Sequence, residues 1–354
     1  MAPVGQGALN GGLSYVAIGR ETTYATYNTC TSTLDVLSSS IVTTMENKIL
    51  EQIERSRTYT KRISLSKNVQ GDLEFYYSPT VDSCNYILQN AFGGTVTSAT
   101  ATGETAGAGA SSAMTHTFQI GSMDQSYPSL CVNIRKGDTT SGKVYNYSGV
   151  RVNELSFSSA LDEPLKCSAS LIGVDSTQNS NDVSGVLSTT TGYSVLSFVD
   201  GRVSLETSFA SLTSTSFWHV QSVEFGWSNS LKADAGSRRI GSNLLNVMPP
   251  GMANYKLKCK IRFDTTTAYA AMLSATKLSA QLEFLGPTLT SSAIRQGIKL
   301  NYPTLYVNSA GDPEIGGPDQ ILTSDVEFHV LRDDTTNAGY ALQALVTNQK
   351  SSYA

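Results

Sequence analysis

Tyr127-Pro128-Ser129-Leu130-Cys131-Val132-Asn133 returns as Tyr302-Pro303-Thr304-Leu305-Tyr306-Val307-Asn308, with five of seven residues identical and the copies 175 positions apart. The same offset carries the alternating run Leu165, Cys167, Ala169, Leu171 onto Tyr340, Leu342, Ala344, Val346. Solenoid repeats have periods of about 20 to 50 residues. This spacing is far longer, so it predicts one structural unit written twice, as two tandem domains.

Working outward, each heptapeptide reads as a strand followed by two more alternating strands. These are Val150 to Phe157 and Leu165 to Leu171 in the first half, and Val326 to Val330 and Tyr340 to Val346 in the second. Upstream, Leu73, Phe75 and Tyr77 alternate as a half-buried strand should. Pro79 suits the first turn of a helix. Val81, Cys84, Leu88 and Ala91 lie at spacings of three and four and make one helical face, which Gly93-Gly94 ends. The second half repeats the plan. Leu257, Cys259, Ile261 and Phe263 alternate, Asp264 or Thr265 can cap a helix, and Ala268, Tyr269, Met272 and Leu273 form its apolar face. The expected fold is mainly β with short helices: two tandem β-sandwich or barrel domains, each flanked by one helix. The boundaries read as an arm over 1–30 with one strand at Tyr15–Gly19, a first domain over 31–175, a linker over 176–192 and a second domain over 193–354. Residues 93–113 read as a loop.

One segment is charged out of proportion. Glu46 to Lys67 carries Lys48, Glu51, Glu54, Arg55, Arg57, Lys61 and Arg62, alternating in sign with few large apolar residues. It reads as a long exposed loop or hairpin. Lys232, Asp234, Arg238 and Arg239 occupy the corresponding place in the second half.

Composition narrows the function. The chain has 354 residues, of which 40% are hydrophobic, enough for two domains each with its own core. Only 15% are charged, against about 25% in ordinary proteins. Ser, Thr, Gly and Asn fill the gap. They suit strands, turns and surfaces that neighbouring subunits cover. The net charge of −4 argues against gripping nucleic acid. No stretch approaches the ~20 apolar residues of a membrane helix. Met1 to Gly7 lacks the basic and apolar regions of a signal peptide, so the expected compartment is the cytosol.

Catalytic constellations do not emerge. His116, His219 and His329 have no second His or Cys at ligand spacing. Cys30, Cys84, Cys131, Cys167 and Cys259 are odd in number and without CxxC spacing; Cys84, Cys167 and Cys259 fall at apolar positions and read as buried small hydrophobes. Gly311 to Asp319 is acidic and turn-rich but lacks the calcium-loop spacing of an EF-hand. The acid pairs Asp162-Glu163 and Asp333-Asp334 read as turns between strands. No cofactor and no metal is expected.

Taken in order along the chain, these segments resemble the tail tube protein (major tail protein) of long non-contractile-tailed bacteriophages. The likeness runs through Tyr15-Val16-Ala17-Ile18-Gly19-Arg20-Glu21-Thr22-Thr23-Tyr24, Gly71-Asp72-Leu73-Glu74-Phe75, Met114-Thr115-His116-Thr117-Phe118 and Tyr127-Pro128-Ser129-Leu130. It is strongest from Tyr147-Ser148-Gly149-Val150-Arg151-Val152-Asn153 to Leu171-Ile172-Gly173, and continues in Gly236-Ser237-Arg238-Arg239 and Gly316-Gly317-Pro318-Asp319. The resemblance implies a structural virion protein, assembled in the host cytoplasm. Its domains close into rings that stack as a hollow tube for DNA in transit. It also implies a tape-measure protein in the lumen, terminator and distal tail proteins at the ends, and no membrane partner. Two units per chain would let three chains make a ring of six. Lys48, Glu51, Glu54, Arg55, Arg57, Lys61, Arg62, Lys232, Asp234, Arg238 and Arg239 are then candidate ring-to-ring contacts, each exposed ion pair contributing ~0.2–1 kcal/mol. The alternatives are the tube of a contractile tail or injection device, a decoration or host-binding β-protein, and, for the charged segment, a plain solvated loop.

Overall fold

Alternating apolar and polar residues bury one face of a strand, and most of this chain is built on that pattern. The computed structural model describes residues 11–52, 58–94, 96–101, 113–120, 127–137, 143–179, 194–212, 217–263, 267–289, 292–311, 321–333 and 339–353. In order the elements are β1 (Tyr15–Arg20), β2 (Ser32–Leu34), β3 (Val36–Ser39), β4 (Val42–Ile49), β5 (Arg62–Tyr76), α1 (Asp82–Phe92), β6 (Thr97–Thr100), β7 (Met114–Gln119), β8 (Leu130–Lys136), β9 (Lys143–Ala160), β10 (Lys166–Gly173) and β11 (Asp175–Asn179). Then follow β12 (Gly201–Glu206), β13 (Val220–Ser228), β14 (Asn254–Arg262), α2 (Thr267–Leu273), β15 (Leu278–Thr288), β16 (Arg295–Ala310), β17 (Thr323–Val330) and β18 (Gln343–Asn348). Every strand pairing among the described residues is antiparallel. The chain is mainly β with short helices.

Strand pairing repeats where the heptapeptides do not. β1, β8, β9 and β11 pair in that order, and so do β12, β15, β16 and β18. β4, β5, β10 and β9 pair in that order, and so do β13, β14, β17 and β16. A helix follows β5 and another follows β14. By this pairing β8 answers to β15 and β10 to β17. The first heptapeptide leads into β8 and the second lies in β16, so the two copies sit at non-equivalent places. The runs Leu165–Leu171 and Tyr340–Val346 lead into β10 and β18, which are also non-equivalent. Their likeness reflects a shared demand for buried Leu and Val on alternate strand positions.

β9 and β16 are long because each changes pairing partners along its length. Val144–Ser148 of β9 pairs with β11, and Arg151–Ser158 pairs with β10. Gly149 sits between, at φ +63, where a side chain would meet Val174 Cγ2 at 2.5 Å. A left-handed, crowded position of this kind excludes other residues. α1 packs across β9 through Val152 N–H, which donates to Asn90 Oδ1 at 2.7 Å. Gly93 closes α1 at φ +64, as the Gly-Gly pair predicts. One apolar cluster runs from Val16 to Tyr353 and includes residues of both halves.

Several local expectations change. The helix begins at Asp82 with Val81 as cap, so Pro79 precedes it; the Pro79 carbonyl instead accepts Nδ2–H bonds from Asn85 and Asn348, both at 2.8 Å. Of the predicted α2 face, Tyr269 and Leu273 are exposed, while Ala271 is buried and Met272 packs on the core. Thr97–Thr100 pairs with β7 inside the predicted loop. The first residues of the predicted linker, 176–179, belong to β11; residues 180–192 lie outside the described residues. Within the predicted arm, β1 is a core strand flanked by β2 and β8, with Val16, Ala17 and Ile18 buried.

Candidate assembly surface

The charged segment is a ribbon. β4 and β5 pair from Val42–Gln70 to Ile49–Arg62, and all of β4 is exposed. Side-chain bonds brace it: Ser66 Oγ–H donates to Glu46 Oε2 at 2.6 Å and Ser64 Oγ–H to Asn47 Oδ1 at 2.9 Å. Lys48, Lys61 and Arg62 lie at its outer part, with Lys61 Nζ donating to Gln52 Oε1 at 3.5 Å. Glu51 follows β4 and is exposed. Glu54, Arg55 and Arg57 lie outside the described residues. The charge pattern hid a second property: Val42, Met45, Ile49, Ile63 and Leu65 are all exposed on this ribbon. Exposed apolar side chains gathered on one element mark a surface meant to be covered.

The second charged group lies on the connection from β13 to β14. Lys232 N–H donates to the Pro249 carbonyl at 3.0 Å, and the Asp234 carboxylate accepts from Gly236 N–H at 3.0 Å, capping a short turn. Arg238 reaches the root of the ribbon. Its Nη2 donates to Asn68 Oδ1 at 2.5 Å and to the Lys67 carbonyl at 3.3 Å, while Nη1 donates to the Asn243 carbonyl at 2.7 Å. A cleft of about 590 Å³ lies between, lined by Glu46, Leu65, Asp234, Arg239 and Ile240 among others. Of the predicted residues, Arg238 alone bonds across to the ribbon among the described residues, and Asp234 and Arg239 share its cleft.

β9 and β13 join the two halves edge to edge, from Ser222–Ala160 to Ser228–Glu154. One sheet therefore runs β4, β5, β10, β9, β13, β14, β17, β16. Its inner face is apolar and includes Leu73, Phe75, Phe157, Phe225, Leu257 and Phe328, all buried. On its other face Asp72, Glu74, Glu154, Glu224, Asp325 and Glu327 interleave with Lys166, Lys256, Lys258, Lys260 and Arg262. Lys166 Nζ meets Glu74 Oε2 at 3.1 Å and Lys258 Nζ meets Glu327 Oε1 at 3.0 Å, and Lys256 pairs with Glu224. Cations so matched leave little for a polyanion to bind.

A sheet whose polar face carries matched charges, with β4 and β16 ending it, is suited to meet copies of itself edge to edge. A family model described as phage tail tube protein matches residues 11–330. The chain belongs to the phage tail tube protein family. A search of curated proteins finds no match to this chain. As a tail tube protein it is a structural component of the virion tail that self-assembles into a tube. No helix among the described residues is long and apolar enough to cross a membrane.

Other sequence candidates are structural in their contacts. His116 is buried, with Nδ1 at 2.8 Å from Ser98 Oγ and Nε2 at 3.0 Å from Asn348 Oδ1. Asp162, at φ +64, turns the chain from β9 to β10. Asp333 is buried beside Lys277 Nζ at 3.3 Å. Asp334 and residues 312–319 of the acidic loop lie outside the described residues. All five cysteines are buried free thiols, and Cys30 and Cys131 stand 3.5 Å apart, a meeting that residue spacing does not announce.

Proposed function

We propose that three copies of this tail tube protein close into a pseudo-sixfold ring, that rings stack into the tail tube, and that phage DNA passes through the lumen. The observation that carries this reading is the sheet that spans both halves of the chain, joined inside by β9 and β13. Each half supplies the same four-strand order, so one chain contributes twice what a single tube unit does. Closing such sheets into a barrel removes the unpaired edges that otherwise aggregate. Head-to-tail stacking of rings is heterologous and open-ended, which makes a filament.

In this arrangement the mixed-charge face lines the lumen. Its acids and bases are near balance, and Lys166, Lys256 and Lys258 are paired with acids, so a passing duplex meets few cations that can hold it. The ribbon β4–β5 and the Arg238 segment beside it contact the next ring, with Lys48, Glu51, Lys61, Arg62, Lys232, Asp234 and Arg239 as polar contacts and Ile49, Ile63 and Leu65 as apolar ones. Tape-measure, terminator and distal tail proteins complete the tail. The reading is tested by electron microscopy of the purified chain with mass measurement. Hollow stacked rings of three chains support it. Rings of six chains leave the tube but remove the trimer, and a stable monomer at high concentration removes both.

A further inference from the structure

Strand pairing in the two halves fixes an alignment between them that no residue likeness supplies. Phe75 faces Val36 and Leu73 faces Ser39, with Leu37 left out of the ladder. Ile261 faces Val220 and Cys259 faces Val223, with Gln221 left out. The coincident bulges align β3 and β4 with β13. Thr44, which faces Asn68, then matches Ser228, which faces Asn254. The partner strands align the same way. Asn153 is left out between Val152 and Glu154 on β9, and Asn308 between Val307 and Ser309 on β16. Glu154 therefore matches Ser309. Inside the chain, Ser228 faces Glu154.

We infer that neighbouring chains join by the same ladder, with Thr44 of one copy facing Ser309 of the next, Thr43 facing Ala310 and Val42 facing Gly311. The partner is a second copy of this chain, and the inference rests on the tube reading above. Both edges are available among the described residues: there β4 has a ladder on one side only, to β5, and Ser309–Ala310 has one only, to β17. Side-chain direction agrees, because Thr44 follows Val42 and Ser40 on the face of Glu74, and Ser309 lies opposite Glu327 on that same mixed-charge face. Exposed edges are ordinarily blunted by charge or Pro. Val36 to Met45 and Val307 to Gly311 carry neither. Charge begins only at Glu46, past the pairing segment. The seam inside the chain is thus the template for the seam between chains, and a ladder continued three times closes the ring.

The test is disulfide trapping in assembled tubes. Directly facing residues have Cα atoms about 4.5–5.5 Å apart, inside disulfide reach, whereas a diagonal pair lies about 7–8 Å apart. Thr44→Cys with Ser309→Cys should give, after mild oxidation, covalent dimers and trimers that end at three chains on a non-reducing gel. Thr44→Cys with Gly311→Cys should give at least tenfold less. Ser228→Cys with Glu154→Cys should close within one chain and shows that the register is bridgeable. Amide exchange of the unmodified protein gives an independent reading: residues 42–45 and 307–311 should slow at least tenfold on assembly. Tubes of three-chain rings with neither the trap nor the protection overturn this seam and leave the tube standing. Absence of any tube overturns both.

Discussion

The Phe157 and Phe225 rings stack face to face, with centroids 4.9 Å apart and planes 11° from parallel, across the seam where β9 meets β13. Both are fully buried, and Tyr77 meets Phe157 edge-on at 5.6 Å. Each half thus lends one ring to the joint, which ties the two halves into one core.

Phe225→Ala should therefore destabilise the fold by about 3–5 kcal/mol, the usual range for emptying a buried aromatic site. Urea denaturation followed by tryptophan emission measures it, since Trp227 is two residues away. A loss under about 1 kcal/mol would mean the seam is not a core contact.

Gly93→Ala should be at least as damaging for a different reason. The position has φ +64, and an added Cβ would lie 1.9 Å from the Tyr127 ring. The left-handed conformation alone costs about 1–2 kcal/mol for a non-glycine residue, before the ring is displaced. Thermal melting should show a fall larger than that of Ala at any exposed site of β4.

The Tyr353 hydroxyl accepts from Asn85 Nδ2 at 2.8 Å and Asn348 Nδ2 at 3.0 Å, and donates to Asp82 Oδ1 at 3.2 Å. Tyr353→Phe removes the acceptor while leaving the ring. Two buried amide donors lose a partner, at a cost of about 1–3 kcal/mol. Equal stability of wild type and variant by urea titration would refute this role.

Glu283 is buried between Lys299 Nζ, at 2.6 Å, and Arg202. Burial alone would raise its pKa. The hydrogen bonds and charges of Lys299 and Arg202 outweigh burial and hold it below the ordinary 4.5. A carboxylate lowered in the fold contributes stability that is fully present above its unfolded pKa and lost as pH falls through the folded one. Stability should therefore drop as pH falls below about 4.5, and Glu283→Gln should flatten that drop while costing stability at neutral pH. Denaturation at pH 3.5 and pH 7 compares the two slopes.

Arg238 and Arg239 are neighbours with different expected effects. Arg238→Ala removes the bonds to the Lys67 and Asn243 carbonyls and Asn68, and should cost about 1–3 kcal/mol and speed amide exchange at Lys67 and Asn68. Arg239→Ala should stay within about 0.5 kcal/mol in the unassembled protein, as exposed sites do, and act on tube stacking alone. Sedimentation of tubes separates the two.

Alternation by itself determined that Leu73 and Phe75 and Leu257, Cys259 and Ile261 are buried strand positions, and that Tyr77, just past the end of β5, is buried too, because side chains on a strand reverse direction at each residue. Helix spacing found α1, and Gly-Gly found its end, because both signals are local. The run of charges found the exposed ribbon. The heptapeptides that suggested a duplication proved to be non-equivalent positions, one leading into β8 and the other lying in β16. Strand identity depends on which distant residues donate hydrogen bonds to it, and a sequence of alternating Leu and Val satisfies many partners equally. Only the tertiary structure decided that β8 answers to β15, that Arg238 reaches Asn68, and that Phe157 stacks on Phe225. Those relations join residues far apart in the chain, so no short-range pattern encodes them, and the bulges at Asn153 and Asn308 that fix the register exist only once the strands have paired.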